Sequence, residues 1–301
     1  METWILFTIG AAFFQNLRSA LQKHLKGKLS TLGASYVRFI YALPIAFIYC
    51  MVILQQDNAP IPKISDWFLI YATLGGLCQI VFTILLLWLF SFHNFAVGTT
   101  FSKLEVIMVA IFGLFLLDDQ LTSQTVVAIS ISSLGLVVLT MGQSRLSLQN
   151  IWIGLWRPST LIGLSCAAVL GASVVFFRAA SLTLQTDQYL TASSMTLVIV
   201  LIIQTVTMGG FMLIRHRDEL KLVFIHWRQA SMVGICGALT SIGWFTAFTL
   251  ENATHVRALG QVELLFTFIA TILFFKEKVS KPEMLGILMI TVSIIILLTG
   301  Y

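Results

Sequence analysis

Glu105 and Glu263 each sit in the middle of an apolar stretch, at equivalent points in the two halves of a 301-residue chain. A carboxylate in hydrocarbon costs roughly 2.5–3.5 kcal/mol on insertion scales, so one is kept only where it faces a polar interior and has a partner or a task. Two such groups related by repetition could bind a cationic group or carry protons through a central site. Five cations fall in similar settings: Arg18, Arg38, Lys103, Arg178 and Arg257. With only two definite acids set against them, the interior is net basic and suits an anionic or carboxylate-bearing ligand. Arg38, Lys103 and Arg257 lie deepest and are candidates to hold it. Arg18 and Arg178 lie near the ends of their stretches, where snorkelling to the interface explains them equally well.

A helix turns by 100° per residue, which groups Gly98, Ser102 and Glu105 on one face and Thr99 with Lys103 on another. The second copy places Gly260, Glu263 and Thr267 on one stripe and Arg257 with Gln261 on the other. Lys103 and Glu105 are two residues apart and diverge, so their partners must come from other helices or from a ligand. A bridge from Glu105 to Arg38 that only fixes the bundle is the structural alternative. The polar run Gln15, Asn16 and Arg18 adds Asn16 as a pathway candidate, with a helix end at the interface as the plainer reading. The candidate substrate-binding set is Asn16, Arg38, Ser102, Lys103, Glu105, Arg257, Gln261 and Glu263, with Glu105 and Glu263 also the candidate proton carriers. His93 and His255 stand at loop edges, where solvated side chains are expected and a proton relay is the alternative. Trp88, Phe90, Phe92, Trp244, Phe245 and Phe248 are expected to face lipid or anchor the interfacial belt, with stacking on a substrate as the alternative.

The elements that must position these groups are long and apolar. The chain is 58% hydrophobic and 10% charged, and its mean hydropathy is +0.93. An average soluble domain carries about a quarter charged residues, so this is the composition of an integral membrane protein. Segments long enough to cross about 30 Å of hydrocarbon occur near 3–22, 31–54, 67–91, 96–117, 124–141, 160–181, 190–214, 228–250, 255–275 and 284–300. The first reads as a span, since no basic region precedes it and no small-residue cleavage site follows. Pro44, the one intramembrane proline, should kink the second span beyond Arg38. Cys50, Cys78, Cys166 and Cys236 are isolated packing thiols without metal or redox spacing, and no cofactor is implied.

Charge orients the spans. The loops after spans 1, 3, 5, 7 and 9 hold twelve Lys and Arg, whereas the other loops hold only Lys63. Basic loops stay cytoplasmic, which puts both termini on the extracytoplasmic side. No long basic run or aromatic-interleaved patch supports nucleic-acid binding. Residues 94–142 align without gaps on 252–300, pairing Asn94 with Asn252, Glu105 with Glu263, and Asp119 with Glu277. Five spans per copy invert the second copy relative to the first. The expected fold is therefore all-α, with ten transmembrane helices as two inverted five-helix repeats. Residues 1–145 form the first repeat, 146–158 a linker with interfacial Trp152 and Trp156, and 159–301 the second.

The segments Phe95 to Thr99 through Lys103-Leu104-Glu105, Leu117 to Thr122, Gly260-Gln261-Val262-Glu263 and Phe275 to Lys278, with Val37-Arg38-Phe39 early in span 2, resemble the EamA branch of the drug/metabolite transporter superfamily. The resemblance covers essentially the whole chain. It departs at Val106 and Leu264, where the family often has proline, which puts any proline-dependent bend in doubt. Many family members have cytoplasmic termini, opposite to the loop charges here. The resemblance implies a secondary carrier that moves amino acids or other small metabolites, commonly outward, by alternating access; a bacterial inner membrane and protons as the coupling ion are the expected setting. The substrate would be amphoteric or anionic, its carboxylate drawn to Arg38, Lys103 or Arg257 and its amine to Glu105 or Glu263. The expected partners are that small molecule and membrane lipid, with a homodimer also open. An organic-cation exchanger or uniporter is the alternative within transport, and a non-transport subunit or lipid-handling protein the alternative outside it. No His-Glu-x-x-His, Gly-x-Ser-x-Gly or phosphate-loop motif supports an enzyme.

Overall fold

The computed structural model describes residues 2–25, 28–57, 61–89, 104–144, 158–273 and 280–299. Its described residues form helices and no strand: α1 (Thr3–Leu25), α2 (Thr31–Ile40), α3 (Leu43–Asp57), α4 (Asp66–Leu89), α5 (Glu105–Leu117), α6 (Ser123–Ser144), α7 (Pro158–Thr183), α8 (Tyr189–Arg215), α9 (Arg217–Ile225), α10 (Trp227–Leu250), α11 (Ala253–Leu259), α12 (Val262–Leu273) and α13 (Lys281–Leu298). Among the described residues, seven stretches are long and apolar enough to cross a bilayer: Thr31–Asp57, Asp66–Leu86, Ser123–Met141, Thr160–Thr183, Tyr189–Arg215, Trp227–Leu250 and Lys281–Leu298. The apolar Glu105–Leu117 is shorter. Large apolar side chains stand exposed along the helices, among them Val206, Ile214, Phe115 and Leu6. In water such a surface would aggregate, whereas in lipid it is solvated, and helices satisfy every interior backbone group without solvent. The protein is an integral membrane protein.

Two compact units emerge, each drawn from both halves of the sequence: Met1–Ile80 with Phe176–Glu251, and Val81–Val175 with Asn252–Tyr301. In the first, α1 packs along α10, and α8 packs against α3 and α10. Small residues set these approaches, since helices in lipid associate by close van der Waals fit. A methyl group at Gly243 would lie 2.8 Å from the Ala11 side chain and 2.9 Å from the Phe7 carbonyl. Span 2 does bend, but the break falls at Tyr41–Ala42, between α2 and α3, with Pro44 just inside α3. Proline fits the first turn of a helix, where its missing N–H costs nothing, so it starts α3 instead of kinking a continuous helix.

The second unit is held by α6 against α13. A methyl at Gly286 would sit 2.6 Å from both the Gly135 carbonyl and the Leu139 amide, backbone atoms that cannot swing aside. Gly286→Ala is therefore expected to cost about 1–3 kcal/mol as an overpacked contact. Thermal unfolding in detergent should show it, with Gly210→Ala, which meets nothing within 4 Å, as the unaffected reference. α5 ends at Asp118, whose left-handed backbone (φ 51°) closes the C-terminus, while the Asp119 amide donates to the Gly113 carbonyl at 3.2 Å. The acidic turn of the first copy is thus a helix cap. α13 starts with a capping box between Ser280 and Glu283.

Candidate functional site

The second unit carries the repeat-related glutamates, and it places both in the same kind of position. Glu105 is the first residue of α5, and Glu263 lies in the first turn of α12. Each carboxylate therefore sits at the positive end of a helix macrodipole, where negative charge is favoured. α12 starts there because span 9 is broken. α11 stops at Leu259, and Gly260 and Gln261 form a tight turn before α12. The Gln261 amide donates to the Ala258 carbonyl, Glu263 to Gly260 and Leu264 to Gln261, all three residues back instead of four. The continuous helix expected over 255–275 does not form, and the stripe argument across it fails with it. Thr267 is exposed and bonds its hydroxyl to the Glu263 carbonyl at 3.0 Å.

This break lets Arg257, in the last turn of α11, form an ion pair with Glu105. The two side chains are only 10% and 5% exposed, so the charges are sequestered together. Glu105 thus finds its partner in the opposite repeat's matching span, not in Arg38. Arg257 also interacts electrostatically with Glu263. α11 is itself capped by Asn252, whose side-chain oxygen accepts from the Thr254 amide at 2.8 Å. His255 is buried, not solvated: its Nε2 lies 3.0 Å from the Thr125 hydroxyl of α6. Gln261 is buried at the break. Ser102 and Lys103 lie outside the described residues, as do His93, Phe90, Phe92, Asn94 and most of the 146–158 linker.

The first unit holds a separate polar cavity of about 10 Å³. Arg18, Arg38, Gln79, Gln204 and Ser241 provide its polar lining. The Arg38 guanidinium lies 5.0 Å from the centroid of Phe39, whose ring braces it. Gln204 Nε2 donates to Gln79 Oε1 at 2.6 Å. Arg18 does not snorkel: it is buried, because α1 packs along α10 and turns its polar face inward. Its neighbour Asn16 is half-buried and is not among the cavity's lining residues. Gln15 instead accepts from the Trp244 indole at 2.9 Å.

Trp244, Phe245 and Phe248 are buried, contrary to the lipid-facing expectation, because α10 is the packed centre of its unit. Trp88 is exposed, as expected. Arg178 donates to the carbonyls of Phe248 and Glu251 and so caps the C-terminus of α10, a structural use. Gln79, Gln204 and Ser241 were passed over in the sequence because single polar residues in apolar spans give no pattern. No group of three or more metal-ligating side chains occurs among the described residues.

A family model described as the EamA-like transporter family matches this chain twice, over residues 2–141 and 158–299. Twenty-eight solved chains are similar in structure. One of these, titled "Crystal structure of protein", has a TM-score of 0.68 at 12% identity and covers 100% of this chain and 99% of its own, which speaks to the fold alone. No curated protein matches the sequence. Members of the matched family are transporters rather than enzymes. Its model spans nearly every residue in two copies, and the chain belongs to the EamA-like transporter family.

Proposed function

We propose that the protein is a secondary carrier that exports small metabolites such as amino acids by alternating access, driven by protons. The observation that carries this reading is the buried Glu105–Arg257 ion pair, with the half-buried Glu263 interacting electrostatically with the same arginine, in a chain whose outer surface is built for lipid. A buried pair that served only to hold helices together would need one acid for one base. Here a second carboxylate, Glu263, interacts electrostatically with the same guanidinium. A proton taken up by one carboxylate neutralises the surplus charge, which links protonation to the arrangement of α5, α11 and α12. The two matches of the family model support an inverted pair of five-helix repeats, whose two halves would rock about the site. Ten spans follow if α1 and the broken 253–273 segment both cross. The loop charges support extracytoplasmic termini in a bacterial inner membrane.

The test is uptake of radiolabelled amino acids into proteoliposomes with and without an imposed pH gradient. Accumulation that requires the gradient is the expected result. Equal, non-accumulating flux at all gradients would point to a uniporter, and absence of flux for every metabolite would remove the carrier reading.

A further inference from the structure

We propose that a cavity at the start of α4 and the end of α7 holds an anionic phospholipid, with its phosphate on Lys63 and its glycerol backbone and upper chains against Trp67 and Tyr71. Lys63 is the only basic residue in the loops after the even-numbered expected spans, against twelve in the others. That exception lines an open cavity of about 480 Å³, within the range of small-molecule sites, about 300–1,000 Å³. The lining lies within one compact unit: Lys63 and Ser65 before α4, Trp67 and Tyr71 near its start, and Thr183, Leu184 and Gln185 at the end of α7. Lys63 is exposed, is the only charged residue of that lining, and makes no ion pair with another described residue.

The polar part of the wall suits a phosphate. The Phe68 amide donates to the Ser65 hydroxyl oxygen at 3.1 Å, which caps α4 and leaves the hydroxyl proton to donate. Gln185 has a left-handed backbone (φ 47°) that closes the end of α7 and sets its side-chain amide on the cavity wall. The Thr183 hydroxyl donates to the Ala180 carbonyl at 2.7 Å and serves only as wall. The other part suits hydrocarbon. Trp67 and Tyr71 stack with ring centres 5.9 Å apart, and Tyr71 stacks on Phe176 at 6.2 Å, so this side is held rigid. Trp67 is exposed together with Ile61, Ile64 and Ile70, an apolar surface on which acyl chains can continue out of the cavity. Tryptophan at the start of a span belongs in the headgroup layer, which puts the Lys63 ammonium at the level of the lipid phosphates. A soluble phosphate compound would use Lys63 and leave this apolar surface bare, whereas a zwitterionic lipid brings a cation of its own. An anionic phospholipid uses both parts.

The experiment is native mass spectrometry of the purified full chain in detergent, titrated with phosphatidylglycerol or with phosphatidylcholine of the same acyl chains. Phosphatidylglycerol should fill one saturable site with an affinity about fivefold or more above that of phosphatidylcholine, the scale of one ammonium among headgroups. Excess glycerol 3-phosphate should not displace it. Lys63→Gln should remove the preference and Lys63→Arg should keep it, while Trp67→Ala should weaken both lipids alike. Lys221→Gln, which removes another exposed ammonium, on α9, should leave the preference unchanged. All these variants replace exposed side chains, and their unfolding midpoints without added lipid should match that of the wild type. Equal affinity for the two lipids, a preference that survives Lys63→Gln, or binding unchanged in Trp67→Ala overturns the proposal. A preference lost equally in Lys221→Gln reduces it to diffuse surface charge and overturns the site. Displacement by glycerol 3-phosphate overturns the lipid assignment in favour of a soluble phosphate compound.

Discussion

Arg257→Leu is expected to cost the protein most of its stability. The substitution leaves the Glu105 carboxylate, 5% exposed, buried without the cation that balances it. Removing one member of a buried pair typically costs about 3–5 kcal/mol, a large share of the 5–15 kcal/mol that holds a domain together. In hydrocarbon water cannot enter freely to relieve the orphaned charge. Size-exclusion profiles and thermal unfolding in detergent should show an aggregating or strongly destabilised protein. The double variant Arg257→Leu with Glu105→Leu should recover much of the loss, because two apolar side chains of suitable volume replace both charges in an apolar setting. Glu263 is only half-buried and tolerates losing its neighbour. A double variant no more stable than Arg257→Leu would show that the two groups do not depend on each other.

The sequence pattern carried the helices well, because hydrophobic length is the first requirement of a bilayer and periodic charge in the loops orients them. It also singled out Glu105, Glu263 and Arg257, since ionisable groups in apolar stretches need a reason. Their pairing was not legible. A helical projection assigns faces within one span, and the contact between Glu105 and Arg257 joins segments distant in the chain and depends on a break at Gly260–Gln261. No proline marks that break, and Gly260 keeps a right-handed helical backbone there, so the sequence carries no strong signal for it.

Burial was the second blind spot. In water, apolar residues face inward and polar ones outward, but lipid-facing and core-facing positions in a membrane are equally apolar. Trp244, Phe245 and Phe248 therefore read as lipid contacts although α10 is buried. Arg18 read as a span-end residue for the same reason: position along the span suggested the interface, while the packing of α1 on α10 decided otherwise. Asn16 and Arg18 lie two residues apart in a polar run, and only helix packing could choose which of them reaches the cavity.

Glu263→Gln should uncouple transport from the proton gradient while leaving the fold intact. Among the described residues, Glu105, Glu263 and Arg257 are two carboxylates and one guanidinium, and a single proton balances that set. Protonating Glu105 would dissolve a buried ion pair at the first turn of α5, whereas protonating Glu263 leaves that pair in place. Glu263 is half-buried and sits at the start of a broken span, where a proton can reach it and where a change of charge can act on the Gly260–Gln261 turn. The amide keeps the shape and hydrogen bonding of the side chain and removes the titration. Gradient-driven accumulation in proteoliposomes should fall about tenfold or more, as expected when an intramembrane proton carrier is lost. Exchange of labelled for unlabelled substrate should persist, because a one-for-one exchange need not move a proton. Thermal stability should remain near that of the wild type, in contrast with Arg257→Leu. Accumulation that still follows the pH gradient in Glu263→Gln would assign the proton elsewhere, and loss of exchange together with accumulation would make Glu263 a substrate ligand instead of a proton carrier.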